Sequence, residues 1–381
     1  MKIFFTHTHK FGFHGGNYYS SGGLTDNAFR RYSVFCDNLL VGARVSNIDE
    51  KVAMKLSHVS DPKIVFTSLF YNVNIFKDIK KMVISSDYVI ARLPSLFGVI
   101  AVYYAKKYNK PVLSEVVGNA YEALKFHSFL GKLLAFPFQY FNKKAVIHSD
   151  YVSYITENYL QEIYPTKGKV ANGLSNITLD DSYFENTSVL EKRIFTIDNS
   201  EKKTIRIGMI GNLQVKYKGH HQALAVFAQL VKQHDNIFLD LVGGGSSEEI
   251  QALIEELNIK DKVSIKGTIP NEEILAWLDQ VDIYIQPSKT EAHGRAVIEA
   301  MSRGCTVVTS DIGGMRETVT KNFRFVPDND SSFFEILNKV ITDKNIRLQQ
   351  AETNFNISMK FKKSTIDLKR HNFFNSIFKK A

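Results

Sequence analysis

Apolar and β-branched residues fall in short runs separated by longer stretches with helical spacing. In the first half these runs are Lys2 to Thr6, Leu39 to Ala43, Lys63 to Thr67, Tyr88 to Leu93, Pro111 to Val116 and Tyr151 to Thr156. A second series begins at Thr204, with runs at Ile205 to Ile210, Ile237 to Val242, Val263 to Lys266, Asp282 to Gln286 and Thr306 to Ser310. Runs of this kind alternating with amphipathic helices predict α/β architecture with parallel sheets. Residues 176–203 between the two series are polar and charged, including Asp180-Asp-Ser and Asp198-Asn-Ser-Glu-Lys-Lys. That composition suits a connector. The expected organisation is a Rossmann-like domain over 1–175, a linker over 176–203, a second Rossmann-like domain over 204–355 and a basic C-terminal helix over 356–381 that returns to the first domain. In such folds ligands bind outside the carboxyl ends of the strands, so the predicted site is a cleft where the two domains face each other.

Length and composition narrow the function. A chain of 381 residues exceeds the usual single core, and 44% hydrophobic with 23% charged residues excludes a disordered class. A net charge of +9 favours an anionic partner: nucleic acid, an acidic membrane surface or a phosphorylated ligand. No RNP, KH or zinc-finger pattern is present, which argues against nucleic acid. Cys36 and Cys305 form no metal-ligand spacing or disulfide framework, in keeping with a reducing compartment. The N-terminus has too short an apolar run for a secretory signal, and no stretch reaches the length of a membrane span, so a cytoplasmic location is expected. Neither Gly22-Gly23 nor Gly243-Gly-Gly245 completes the GxGxxG fingerprint, which weakens a nicotinamide-dependent oxidoreductase reading.

The densest chemistry runs from Gln286 to Glu317. A strand is predicted to end near Pro287, a loop carries Glu291, and a helix begins near Gly294 with Glu299 inside it. Between the two carboxylates lie the amides of Gly294, Arg295, Ala296 and Val297. Free amides at a helix N-terminus, with the helix dipole, favour a diphosphate, and carboxylates suit a hydroxyl-rich ligand. Two glutamates at this spacing are common on solvated helices, so the surrounding residues decide the reading.

Those residues, Pro287-Ser-Lys-Thr-Glu291-Ala-His293-Gly294 through Glu299-Ala-Met-Ser-Arg-Gly304, resemble the Glu-x7-Glu motif of retaining nucleotide-sugar glycosyltransferases of the GT-B fold, family 4. Gly313-Gly314-Met-Arg-Glu317, Gly208-Met-Ile-Gly211-Asn-Leu, Lys218-Gly219, Leu241-Val-Gly243-Gly-Gly and Val263-Ser-Ile-Lys-Gly267-Thr-Ile-Pro follow the family's order. In the first half, Gly15-Gly16, Ser21-Gly22-Gly23, Ala91-Arg92-Leu-Pro-Ser95 and Glu115-Val-Val-Gly118-Asn119 are similar to bacterial surface-polysaccharide members. The resemblance implies a nucleotide diphosphate sugar as co-substrate, with no further cofactor and no metal. It implies that Glu291 contacts donor-sugar hydroxyls, that Glu299 holds the ribose, and that Lys218 with the amides after His293 neutralises the diphosphate. Many members carry an arginine where Asn212 stands, so Lys216 or Arg295 is expected as the second diphosphate cation. For a retaining reaction the resemblance suggests front-face attack, the departing phosphate oxygen taking the acceptor proton.

Acceptor contacts are expected from Gly22, Gly23, Arg92 and Asn119. Glu115, at a strand end, is a candidate to orient or deprotonate the acceptor hydroxyl, or else a carboxylate paired with a lysine. Arg92 could bind an anionic acceptor group, or pair with Asp87 or Glu115. His7, His9 and His14 lack the acidic or thiol partners of a metal site and are expected to line the acceptor mouth. Tyr121 to Lys144 mixes Leu130, Leu133, Leu134, Phe126, Phe129 and Phe136 with Lys125, Lys132, Lys143 and Lys144, a composition suited to an anionic membrane surface. The C-terminus repeats that mixture through Phe378-Lys-Lys380, part of it expected to be core. The expected acceptor is a lipid-linked saccharide at the inner face of the plasma membrane. A nucleotide-sugar epimerase of the same fold and a non-catalytic sugar-nucleotide binder are the alternatives.

Overall fold

The computed structural model describes residues 1–125, 129–185, 188–199 and 204–378. Residues 126–128, inside the aromatic and basic stretch, as well as Lys202, Lys203, Lys379 and Lys380, therefore lie outside the described residues, and so does the Phe129 side chain.

The chain forms two compact units, Met1–Asn176 with Asp367–Ala381, and Ile177–Ile366. The first is built on β1 (Lys2–His14), β2 (Asn17–Ser20), β3 (Asn38–Asn47), β4 (Ser57–Val59), β5 (Ile64–Ser68), β6 (Tyr88–Leu93), β7 (Val112–Val116), β8 (Tyr151–Tyr154) and β9 (Lys169–Ala171). Its parallel strands lie in the order β5-β3-β1-β6-β7-β8-β9. The order reverses at β1 and β6, which are neighbours. β1 runs on past the sheet proper into a hairpin with β2, and β2 pairs antiparallel with β4. Ile3, Phe5, Phe11, Phe29, Tyr32, Leu39 and Val41 form its core, closed by Phe373, Phe374, Ile377 and Phe378 from the C-terminus. The C-terminal aromatic residues are thus interior packing.

The second unit carries β10 (Ile205–Ile210), β11 (Ile237–Val242), β12 (Val263–Gly267), β13 (Ile283–Gln286), β14 (Thr306–Ser310) and β15 (Arg324–Phe325). These are wholly parallel in the order β12-β11-β10-β13-β14-β15, again reversing between the first and fourth strands. Central strands are buried on both faces, so even Asp240 of β11 and Thr306, Thr309 and Ser310 of β14 lie inside.

The segment expected to be a linker is partly structured. A helix over Ser188–Asp198 inserts Arg193, 5% exposed, whose guanidinium donates to the carbonyls of Leu278, Asp279 and Arg303. Apolar side chains alone would not have revealed this, because the anchor is a charged residue satisfied by carbonyls at the ends of other elements.

Candidate active site

In doubly wound sheets a ligand lies beyond the carboxyl ends of the strands where the order reverses. In the second unit that place is above β10 and β13. The turn Lys216–Lys218 follows β10, and the loop carrying Glu291 follows β13. Lys218 Nζ donates to Glu291 Oε1 at 2.5 Å. The two loops are held together by backbone: Lys289 N–H donates to the Tyr217 carbonyl at 2.7 Å, and Gly219, at φ +85°, sits so close that a Cβ would lie 2.0 Å from the Pro287 oxygen. Glycine is required there both for its conformation and for its lack of bulk.

A buried relay fixes Glu291 from below. The amide of Ile210 donates to the Tyr284 hydroxyl, which donates to Gln286 Oε1 at 2.7 Å. Gln286 Nε2 donates to Ser288 Oγ at 2.9 Å, and Ser288 Oγ donates to Glu291 Oε1 at 3.2 Å. Tyr284 is fully buried and feels both Glu291 and Glu299, so its hydroxyl is held well above its ordinary pKa, burial being the larger cause. The relay was invisible to spacing arguments, although the alternating Tyr284, Gln286 and Ser288 put their side chains on one face of the strand.

Gly294, at φ +67°, caps the helix Arg295–Ser302. A Cβ on Gly294 would strike Met315, and one on Gly314 would lie 2.1 Å from the Ala292 oxygen, so the Gly313-Gly314 turn is wedged against the loop that delivers the helix N-terminus. Glu299 lies one turn after Arg295. Burial raises its pKa, and the Arg295 charge opposes that rise. His293 is 8% exposed, packs edge-on to Phe361 at 5.1 Å, and is kept neutral by burial with a pKa of about 4. The arrangement offers one ammonium, a helix N-terminus and two carboxylates at the crossover, a combination able to hold a diphosphate and a polyhydroxylated group.

The side chains of the other predicted donor residues make contacts of their own or face solvent. Lys216 is 76% exposed and pairs with Glu249 at 3.0 Å, so the cation brought to Glu291 is Lys218. Asn212 accepts from the Gln214 amide at 3.0 Å and shapes the loop after β10. Arg295 is exposed at the first turn of its helix.

In the first unit, Arg92 and Glu115 are register partners on β6 and β7, and Arg92 Nη1 donates to Glu115 Oε2 at 3.1 Å. The Tyr32 hydroxyl donates to the same oxygen at 2.7 Å. Glu115 is 6% exposed and engaged by both partners, so its ion pair is with Arg92, one of the pairings expected of that arginine, and not with a lysine. Asn119 caps the following helix, its Oδ1 accepting from the Tyr121 amide at 3.0 Å and its Nδ2 donating to the Tyr159 hydroxyl at 3.1 Å. Gly22 and Gly23 are exposed, and neither has a positive φ. His7 Nδ1 accepts from the His9 amide, His9 meets Ser20 Oγ, and His14 meets the Ile48 carbonyl. No cluster of three metal-type side chains occurs among the described residues.

Comparison with known proteins fixes the family. Residues 191–356 match the family described as Glycosyl transferases group 1. Protein CapJ of Staphylococcus aureus is 34% identical over 94% of this chain and 91% of its own. The chain belongs to the group 1 glycosyltransferases. The enzyme is also 34% identical over 123 residues to the putative colanic acid biosynthesis glycosyltransferase WcaL of Escherichia coli, covering 30% of each. Its fold matches that of Anabaena Alr3699/HepE, solved in complex with UDP, with a TM-score of 0.69 at 17% identity over 99% of this chain and all of the other. The transferase has the two Rossmann-like domains of the GT-B fold.

Proposed function

We propose that this glycosyltransferase moves a hexose-type sugar, with retention, from a nucleotide diphosphate sugar to a hydroxyl of a lipid-linked saccharide during assembly of a bacterial surface polysaccharide. The observation that carries the donor half is the Lys218–Glu291 pair at the crossover of β10 and β13, beside the helix N-terminus at Gly294. In this reading Lys218 and the amides of Arg295, Ala296 and Val297 neutralise the departing diphosphate, a charge-stabilising role that asks for no metal. Glu291 then accepts from sugar hydroxyls and Glu299 from the ribose. The glycosyl–phosphate bond breaks as the bond to the acceptor oxygen forms on the same face, and the hydroxyl proton passes to the departing phosphate oxygen. The protein's work is positioning and electrostatics.

The acceptor half is supported by similarity to CapJ and WcaL and by the helix Phe129–His148. Leu130, Leu133, Leu134, Phe136, Tyr140 and Phe141 are all at least half exposed there, beside Lys132, Lys143 and Lys144. No described helix is long and apolar enough to cross a membrane. Large exposed apolar side chains mixed with lysines suit lying on an anionic leaflet. Product analysis tests the reaction: incubation of enzyme, nucleotide sugar and lipid-linked acceptor should yield nucleoside diphosphate and a glycoside. An epimerised nucleotide sugar without glycoside would instead establish the epimerase.

A further inference from the structure

The first unit has its own crossover, between β1 and β6, and the residues above it are cationic. Arg44 lies on β3 just beyond its pairing with β5 and Arg92 near the end of β6, with His7 and His9 on β1 between them. Arg44 spends only Nε on the protein, donating to the Thr8 carbonyl at 2.8 Å, and Arg92 spends Nη1 on Glu115. Among the described residues the remaining guanidinium nitrogens of both have no hydrogen-bond partner. His7 and His9 feel both arginines, and burial together with those charges keeps His7 neutral with a pKa of about 3. With Nδ1 of His7 accepting from the His9 amide, the neutral ring carries its proton on Nε2 and is a donor. Glu115 is taken up by Arg92 and the Tyr32 hydroxyl, and the uncommitted groups of the cluster are donors.

Beside this cluster the chain leaves β5 through a loop with exposed apolar side chains that runs into the helix Ile75–Ile84. Phe70 is 55% exposed, Val73 88% and Phe76 53%. Tyr71 ties the loop to the cations: the Arg44 guanidinium lies 5.8 Å from its ring centroid, and the ring packs 5.1 Å from Phe97, which begins the helix after Arg92. An anion-binding set bordered by exposed hydrocarbon fits one kind of ligand, an amphiphile with a phosphorylated head.

We propose that the carboxyl-end crevice of the first sheet binds the phosphate or diphosphate of a lipid-linked acceptor, Arg44 and Arg92 holding the head and the Phe70–Phe76 loop covering the start of the hydrocarbon chain. This deepens the acceptor half of the proposed function and rests on it. Tyr71 couples the two parts, so head and chain are read by one connected surface. Arg92 is held in place by Glu115, which makes Glu115 a positioning residue for the acceptor.

Farnesyl diphosphate, a soluble prenyl diphosphate, is the probe, with inorganic pyrophosphate and farnesol as partial ligands, titrated calorimetrically into the full chain. Farnesyl diphosphate should bind at least tenfold more tightly than either. Arg44→Gln should weaken farnesyl diphosphate about tenfold or more, Val73→Asp should reduce it to the pyrophosphate level, and Lys218→Ala should leave it unchanged. Equal affinity for pyrophosphate and farnesyl diphosphate, or insensitivity to Arg44→Gln in a variant that melts like wild type, would overturn the assignment. Loss in Lys218→Ala instead would place the ligand on the second unit and overturn it as well. A nucleotide-sugar titration of the same proteins separates the two readings: Arg44→Gln should keep wild-type donor affinity, whereas a wild-type protein that binds the nucleotide sugar but not farnesyl diphosphate removes this proposal alone.

Discussion

Replacing Gly219 by alanine tests whether the turn after β10 sets the position of Lys218. Gly219 has φ +85°, and an added Cβ would lie 2.0 Å from the Pro287 oxygen and 2.7 Å from its carbon. A residue other than glycine in the left-handed region costs about 1–2 kcal/mol. The contact is with backbone, so no side-chain rotation relieves it, and the turn must draw back by about 1 Å before a Cβ is tolerated. Lys218 is the adjacent residue, and its 2.5 Å bond to Glu291 moves with it. If the ammonium loses one charge-assisted contact to the donor diphosphate, worth about 1.5–3 kcal/mol, affinity falls roughly tenfold to hundredfold. The backbone cost lowers the melting temperature by about 2–8 °C for a unit of this size. Calorimetric titration with a bound nucleotide sugar and a thermal melt read both effects. Lys218→Ala should give the binding loss with a smaller change in melting. Wild-type donor affinity in a Gly219→Ala protein that melts lower would refute the reasoning, because the strain would then be absorbed without moving Lys218.

Stability should fall with acidity. His220 and His293 are buried and neutral, each with a pKa of about 4, so between about pH 6.5 and 4 the unfolded chain takes up protons that the folded chain refuses. Their contribution is fully present above about pH 6.5 and declines below it by up to about 1.4 kcal/mol per pH unit for each histidine. The raised pKa of Glu299 acts in the opposite sense, retaining a proton in the folded state as pH rises past 4.5, and softens the slope. Chemical denaturation at pH 4.5 and 7 checks the sign; equal stability would contradict it. Glu115→Ala should destabilise by about 3–5 kcal/mol, because it strands the Arg92 charge and the Tyr32 hydroxyl in a buried setting. A denaturation midpoint near wild type would show that water reaches the pair. Reversing Lys132, Lys143 and Lys144 to glutamate should release the protein from vesicles containing anionic lipid in a sedimentation assay, and undiminished binding would remove the Phe129–His148 helix from the membrane reading.

Much of this was legible along the chain, and the reasons differ by residue. The parallel strands announced themselves because burial on both faces leaves mostly apolar runs such as Ile237–Val242, interrupted only by Asp240. The Glu291 to Glu299 segment stood out because two glutamates flank a helix N-terminus after a glycine within a run of residues that follows a family's order. The resemblance assigns Lys218 and leaves Lys216 only as a substitute second cation; the packing of Gly219 on Pro287 brings Lys218 to Glu291, and Lys216 pairs with Glu249. Glu115 read equally as base or partner because its neighbour across the sheet is set by register, and the pairing of Arg92 with Glu115 settles its contacts. Arg193, Tyr284 and Arg44 were missed. A buried arginine satisfied by carbonyls, a tyrosine inside a hydrogen-bond relay and a strand arginine beside a loop tyrosine acquire meaning only when distant segments meet.

The most direct test of the donor site is thermal stabilisation by UDP, GDP, ADP and CMP sugars, measured on wild type, Lys218→Ala and Glu299→Ala. A ligand present at a hundredfold excess over its Kd stabilises the folded state by about 2.7 kcal/mol. One nucleotide family should raise the melting temperature of wild type by several degrees, and both substitutions should abolish most of that rise. A rise of the same size in all three proteins would mean that the nucleotide sugar binds elsewhere, and the site at Lys218, Glu291 and Glu299 would have to be given up.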